Sequence, residues 1–333
     1  MKPDSSRITE MASAFQDSAL LFAASGLGIF GALAKSEVST ADELAASLGF
    51  DVRAVRLLMD ACVAVGLLQK DGPVYRNTPE SAAFLVSGTP GDLSKALWYM
   101  RDVYPAWGRL TDFIKSGQPA ESPQLHLGDD EARTRAFVMS MHGKAVATGA
   151  AVVARLPLAG CRRLLDVGGG PGTYSVMISR AYPELQATVL DLPPVTRIAS
   201  ALIEQQNASS RVATLPGDYH TTPFPPDNDA ILFFGMMHQE SSEGIQALLR
   251  KAYDAMMPGA AVYIMDMMTD PTHTAPKFSA MFAVNMALTT NSGWVFSSAE
   301  LSAWAQAAGF VDFEVQPLPP PIPHWLASAR KPR

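Results

Sequence analysis

A chain of 333 residues is too long for one ordinary domain and suits two, each able to bury its own core. With 48% hydrophobic and 17% charged residues it has the make-up of a globular protein and none of a disordered one. A formal charge of −6 counts against a nucleic-acid partner, which needs a clustered basic surface. Two cysteines, Cys62 and Cys161, supply neither a disulfide framework nor zinc-ligand spacing, which fits a reducing cytoplasm.

The uncharged stretch 18–34 falls just short of the roughly 20 residues that span a bilayer. It is broken by Ser25, Gly26, Gly28 and Gly31, and Asp4, Glu10 and Asp17 interrupt any leader before it. A buried helix is expected there, with no membrane role. Ser39-Thr40-Ala41-Asp42-Glu43 is a capping sequence ahead of Leu44, Ala45 and Leu48, and Gly49 stops that helix. A second helix is predicted over 52–65, with Val55, Leu58, Met59, Cys62 and Val63 on one face. Residues 67–70 and 74–76 flank Asp71-Gly72-Pro73 as a short hairpin. Helix, helix and two-stranded wing make a winged helix. Only Arg53 and Arg56 are basic on its second helix, too few for reading DNA, so a structural or dimerising role is expected. Helices over 93–115 and 130–154, separated by a turn-rich loop at 117–128, complete an N-terminal domain of residues 1–157.

From Arg163 onward, strands alternate with helices, the pattern of a mostly parallel, doubly wound sheet. Strands are predicted over 164–167, 187–190, 212–215, 230–234, 261–266 and 310–315, and a helix over 243–257 stopped by Pro258-Gly259. The fold class is therefore α/β, with a Rossmann-like domain at 158–333.

The run from Leu164 to Ser175 is the most informative segment. A buried strand carrying Asp166 enters Gly168-Gly169-Gly170-Pro171-Gly172 and then a helix. Glycines there allow a tight turn and a close approach of backbone to ligand. Asp191 ends the next strand, about twenty residues on, where a carboxylate grips ribose hydroxyls. A dinucleotide fingerprint places its third glycine where Thr173 stands. Glycine at 172, Asp166 ahead of the loop, and Gly217-Asp218 after the third strand fit S-adenosylmethionine better than a pyrophosphate.

With these segments in place, the chain resembles the class I methyltransferases of the plant-type O-methyltransferase family, a group that includes bacterial natural-product and pigment enzymes. The likeness runs over nearly the whole chain: the winged helix, Tyr104-Pro105-Ala106-Trp107, Gly117-Gln118-Pro119, the glycine loop, Asp191-Leu192-Pro193, Gly217-Asp218, His238 and Ala308-Gly309-Phe310. It implies a homodimer formed through the N-terminal domain. It also implies donor contacts from Asp166, Gly168 and Gly170 near the methionine tail, Asp191 at the ribose, and Leu192, Asp218, Tyr219 and Phe234 around the adenine. S-Adenosylhomocysteine would be the product, and no metal is expected.

Transfer of a methyl group to a hydroxyl requires alignment, exclusion of water and removal of a proton. His238 follows the 230–234 strand at the carboxyl edge of the sheet, where doubly wound folds keep their sites; the resemblance implies a general base there, with Asp266 as its orienter. By position alone, His238 equally suits a helix cap and Asp266 a turn cap. Tyr104, Phe137, Met141, Met237, Met281, Asn285 and Trp294 fall in stretches that line the family's acceptor pocket, and ordinary core packing is the alternative for each apolar one. The chain departs from the family in three places: Gln239-Glu240 replaces the usual acid-aromatic pair, Phe234 stands for a basic residue, and Val295 for a second orienting glutamate. Two other readings stay open from the residues: an S- or C-methyltransferase with little need of a base, and a winged-helix regulator with a metabolite-sensing domain.

Overall fold

The computed structural model describes residues 4–333, and its contacts divide the chain at Arg101/Asp102 into two compact units. In the first unit, α1 (Ser6–Ser13), α2 (Phe15–Gly26) and α3 (Ile29–Ser36) precede β1 (Ser39–Thr40), α4 (Ala41–Leu48), α5 (Val52–Ala64), β2 (Leu68–Asp71), β3 (Val74–Asn77) and α6 (Pro79–Phe84). The stretch expected as one buried helix is two half-buried ones, because Gly28 at φ 76° ends the first and starts the second. Thr40 and Glu43 form the reciprocal capping box. Ser39 and Thr40 also pair with Tyr75 and Val74, so the wing has three strands rather than two, and the unit is not wholly helical. Ile29, Phe30, Leu33, Leu44, Met59, Cys62 and Tyr75 share one core. Arg56 pairs with Asp42 at 3.0 Å.

Helix α7 (Ser94–Gly108) crosses the division, and α8 (Leu110–Ser116) follows it. A single helix over 93–115 was expected; it breaks at Gly108-Arg109, where Arg109 leaves helical geometry beside a residue of poor helix propensity. A short 3-10 turn at Pro123–His126 leads into α9 (Glu131–Val153). Although α9 is long and apolar enough by composition to cross a membrane, it carries Arg133, Arg135 and Lys144 and packs on helices of the sheet domain. Those contacts put it in the second unit, whereas the sequence placed the boundary after 157.

The remaining elements are β4 (Arg163–Val167), α10 (Thr173–Ala181), β5 (Gln186–Asp191), α11 (Pro193–Gln205), β6 (Val212–Pro216), β7 (Asn228–Phe234), α12 (Ser242–Ala255), β8 (Met256–Asp266), α13 (Lys277–Thr289), α14 (Ser298–Ala307), β9 (Val311–Pro317) and β10 (Trp325–Arg330). The sheet runs β6-β5-β4-β7-β8-β10-β9; its first five strands are parallel, and β10 is antiparallel to both neighbours. Strand β10 escapes the sequence reading because its short alternation hides behind Pro317 to Pro323. The helix before Pro258 also ends two residues sooner than expected. Asn228 caps the carbonyl of Ala255 at 3.0 Å and Met256 pairs with Asn228, so the chain passes straight from helix to strand.

Period-two alternation feeds a core on each face. Ile231, Phe233, Val262 and Ile264 point to one side, and Ala230, Leu232, Tyr263 and Met265 to the other, as a sheet covered by helices on both faces requires. Phe233 is wholly buried at the centre. Phe233→Ala is expected to cost about 3–5 kcal/mol, read as a lowered denaturant midpoint at unchanged slope.

Candidate active site

The switch between β4 and β7, where the strand order reverses, is where an open α/β sheet leaves a crevice at its carboxyl edge. Beside it, the glycine loop turns through three left-handed glycines, Gly168, Gly170 and Gly172. A side chain at Gly168 would be strained, because φ is 63° and its Cβ would crowd the Met236 side chain at 3.1 Å. Gly169 lies directly on the Asp166 carboxyl, 2.6 Å from where its Cβ would be. At Gly170 the added atom would meet nothing within 4 Å, so the backbone there borders open space. Asp191 holds this loop in shape: its two carboxylate oxygens accept the N–H of Gly170 at 2.8 Å and of Leu192 at 2.7 Å.

Asp166 is buried beneath the loop. One oxygen accepts from the Ser175 hydroxyl at 2.7 Å, and the other has no partner among the described residues. Burial pushes its carboxyl up to about 7, against the Ser175 hydrogen bond and helped by the charge of Asp191. Asp191 is raised to about 6, mainly by burial. Two partly desolvated carboxyls and an orphaned oxygen would repel a pyrophosphate but suit a ligand bearing positive charge. S-Adenosylmethionine carries a sulfonium and an ammonium, so the residues present fit that donor.

The raised Asp166 has a consequence for stability. The folded chain keeps a proton up to about pH 7 that the unfolded chain gives up near pH 4. Raising the pH through that window therefore destabilises the fold. Asp166→Asn, which can still accept from Ser175, removes the cost. Its melting temperature, measured without ligand, is expected to gain on the native protein between pH 5 and pH 8; a gap independent of pH would contradict the burial.

Around the loop, the donor-side residues named from sequence are brought together. Thr173 opens α10, and its hydroxyl meets His142 of α9 at 2.8 Å, which fixes α9 beside the loop. Asp218 accepts from the backbone N–H of His220 at 2.8 Å. The Tyr219 hydroxyl donates to Glu240 at 2.7 Å, and burial followed by the Glu240 charge pushes the phenol's pKa upward. Glu240, one of the departures from the family pattern, is thus turned toward Tyr219 and toward His220 at 3.2 Å. Phe234 is 8% exposed and lies edge-on to Tyr174.

The second centre sits at the ends of β7 and β8. His238 lies in the short 3-10 turn Met237–Gln239, and its Nδ1 is 2.6 Å from Oδ1 of the fully buried Asp266. Asp266 also accepts the N–H of His238 at 3.2 Å and of Met267 at 2.8 Å. These bonds hold the Asp266 carboxyl in place with its oxygens accepting, so Nδ1 faces it as the donor and Nε2 is left as the acceptor. The Phe282 ring stands edge-on against the imidazole at 5.0 Å, and the N–H of Trp294 donates to the His238 carbonyl at 2.9 Å.

The expected acceptor wall divides. Asn285, buried on α13, has the partner its amide needs: Oδ1 accepts from the Trp107 indole at 2.9 Å. That bond ties α13 to α7, one turn from Tyr104. Met281 is 47% exposed, and Met141, Phe137, Tyr104 and Trp294 are half-buried. The indole nitrogen of Trp294 has no hydrogen-bond partner among the described residues. Met237 is different. It is sealed in the core and serves packing, because the turn that presents His238 points its neighbour inward. One group near this centre was not singled out in the sequence: His324, in the proline-rich run before β10, whose neighbour Trp325 pairs with Asp266. Among the described residues, no three His, Cys, Asp or Glu side chains converge as a metal site would.

A glycine loop over two buried carboxyls at the carboxyl edge of a doubly wound sheet defines a Rossmann-like domain with the features of a nucleoside-binding enzyme. Residues 115–311 match the family model of the O-methyltransferase domain, and residues 9–87 that of the O-methyltransferase dimerisation domain. A 3-hydroxy-5-methyl-1-naphthoate 3-O-methyltransferase from Streptomyces sahachiroi is 30% identical, over 91% of this chain and 88% of that protein. The tetracenomycin polyketide synthesis 8-O-methyl transferase TcmO of Streptomyces glaucescens is 29% identical over 98% and 96%. Human N-acetylserotonin methyltransferase, solved in complex with S-adenosylmethionine, superposes with a TM-score of 0.87 at 25% identity, covering 100% of this chain and 99% of its own. The chain belongs to the O-methyltransferase family and is an S-adenosylmethionine-dependent methyltransferase with a dimerisation domain.

Proposed function

We propose that this enzyme methylates a hydroxyl of a flat, largely apolar aromatic metabolite, with His238 as general base and Asp266 as its positioning residue. The observation that carries this reading is the 2.6 Å bond between a buried imidazole and a wholly buried carboxylate. Such a pair fixes the tautomer and steadies the imidazolium that forms when a hydroxyl gives up its proton to Nε2. Phe282 packs edge-on against the ring, and the Trp294 N–H fixes the His238 backbone through its carbonyl. A thiol or carbon acceptor has little use for so rigid a base. The family match carries the enzyme reading over the regulator reading.

The donor, when bound, supplies an activated methyl group on a sulfonium. Toward it, Gly168 and Gly170 offer exposed backbone, Asp166 its unpartnered oxygen and Asp191 the remaining lone pairs of a carboxylate already braced by two N–H groups. Leu192, Asp218, Tyr219 and Phe234 would surround the adenine. On the acceptor side, Tyr104, Phe137, Met141, Met281 and Trp294 offer aromatic and thioether surface, which adapts to flat ligands. The naphthoate acted on by the Streptomyces sahachiroi relative is an acceptor of this kind. A homodimer through residues 9–87 and a cytoplasmic location complete the proposal. Incubation with the donor and a panel of mono-hydroxylated bicyclic aromatics, read by mass, tests it: a product heavier by one methylene on oxygen is expected, and exclusive methylation of thiol analogues would overturn it.

A further inference from the structure

Two segments with different tasks share one carboxyl group. The loop after β6 carries Asp218 and Tyr219, proposed for the adenine, and the short turn after β7 carries His238, proposed as the base. Glu240 caps that turn, its N–H donating to the Met237 carbonyl at 3.0 Å. Its side chain reaches away from the turn to the loop. There Oε1 accepts from the Tyr219 hydroxyl at 2.7 Å and lies 3.2 Å from Nε2 of His220. Glu240 is only 8% exposed, and a carboxyl buried so far costs free energy unless it is hydrogen-bonded. Among the described residues, both of its side-chain partners belong to the loop, so moving the loop would strand it.

The loop is fastened at other points as well. Lys251 of α12 donates to the Tyr219 carbonyl at 2.6 Å and to the His220 carbonyl at 3.3 Å. The N–H of Gly217 donates to the Asp191 carbonyl at 2.9 Å, so the loop begins on the residue proposed for the ribose. A continuous series of bonds and short chain segments therefore runs from Asp191 through Gly217, Tyr219 and Glu240 to the turn of His238, and on to Asp266. Glu240 falls within the pair of positions where this chain departs from the resembling family's acid-aromatic pattern. An aromatic side chain there could not accept from Tyr219 in this way.

We propose that Glu240 is a positioning residue that couples occupancy of the donor site to the rigidity of the turn presenting His238. A ligand that orders Tyr219 at one end of a bonded series lowers the cost of ordering the other end, so the base is set when the donor is in place. This proposal rests on the donor reading given above.

Hydrogen exchange read by mass on the full-length protein, with and without saturating S-adenosylhomocysteine, tests the coupling without need of an acceptor. In the native protein the ligand is expected to slow exchange in the glycine loop, in residues 217–222 and, by about five-fold or more, in residues 236–241. Tyr219→Phe, which keeps the ring and removes only the hydroxyl, and Glu240→Ala are each expected to abolish the slowing at 236–241 while the glycine loop is still protected. Glu240→Gln, whose amide oxygen still accepts from Tyr219, is expected to keep it. A merely structural Glu240 would raise exchange at 236–241 with and without ligand alike and leave the difference made by the ligand unchanged; that result overturns the proposal. So does a native turn indifferent to the ligand. Were the turn steadied instead through Met236 against Gly168, the slowing would survive in both variants, which also overturns it. Failure of S-adenosylhomocysteine to protect any segment of the native protein is a different result, and the donor reading falls with it.

Discussion

His238→Ala is expected to lower kcat by about 10²- to 10⁴-fold, with little change in melting temperature or in affinity for S-adenosylhomocysteine. Among the described residues its side-chain bond is to Asp266, and the alanine variant leaves that carboxylate still accepting two backbone N–H groups; the fold therefore loses little while proton removal loses its acceptor. Asp266→Asn separates orientation from base strength. An amide nitrogen there would donate to Nδ1 and shift the imidazole proton to Nε2, so a fall in kcat approaching that of His238→Ala is expected, at similar KM. Turnover in His238→Ala within a factor of a few of the native enzyme would contradict base catalysis. Rising the pH should then help the variant selectively, because an acceptor that ionises in water needs no enzyme base.

The second large effect is expected at the donor. Asp191→Ala removes the acceptor for two loop N–H groups and the carboxylate proposed to take the ribose hydroxyls. Hydrogen bonds to charged groups contribute about 1.5–3 kcal/mol each, so affinity for S-adenosylhomocysteine should fall by about 10²-fold or more. Asp218→Asn, at a turn carboxylate holding one backbone N–H, should cost far less. Calorimetry on ligand-stripped protein checks both; equal, small losses at the two positions would mean that the loop, not Asp191, carries the donor.

Elements with strong periodicity or punctuation were legible in the sequence. Five parallel strands fell within a few residues of their expected places because buried β-branched runs end at glycine or aspartate. The glycine loop was legible for the same reason: three left-handed turns admit few other residues. What the sequence hid depended on partners distant along the chain. Strand β10 became a strand by pairing with β8, α12 yielded to β8 because Asn228 supplied a cap, and Gly28 broke a helix that composition left continuous. At the site, the places of His238 and Asp266 at strand ends were legible, and the roles proposed for them came from the family resemblance. Their bond and the orphaned nitrogen of His324 required the register of the sheet strands, and Met237 looked like pocket until its burial put it in the core.

The most direct measurement is the nitrogen-15 spectrum of the His238 imidazole in protein labelled at histidine and loaded with S-adenosylhomocysteine, at neutral pH. Protonated Nδ1 and bare Nε2 are predicted, with Nδ1 losing that proton preference in Asp266→Asn. A proton resident on Nε2 in the native protein, or a ring tautomer indifferent to Asp266, would contradict the account.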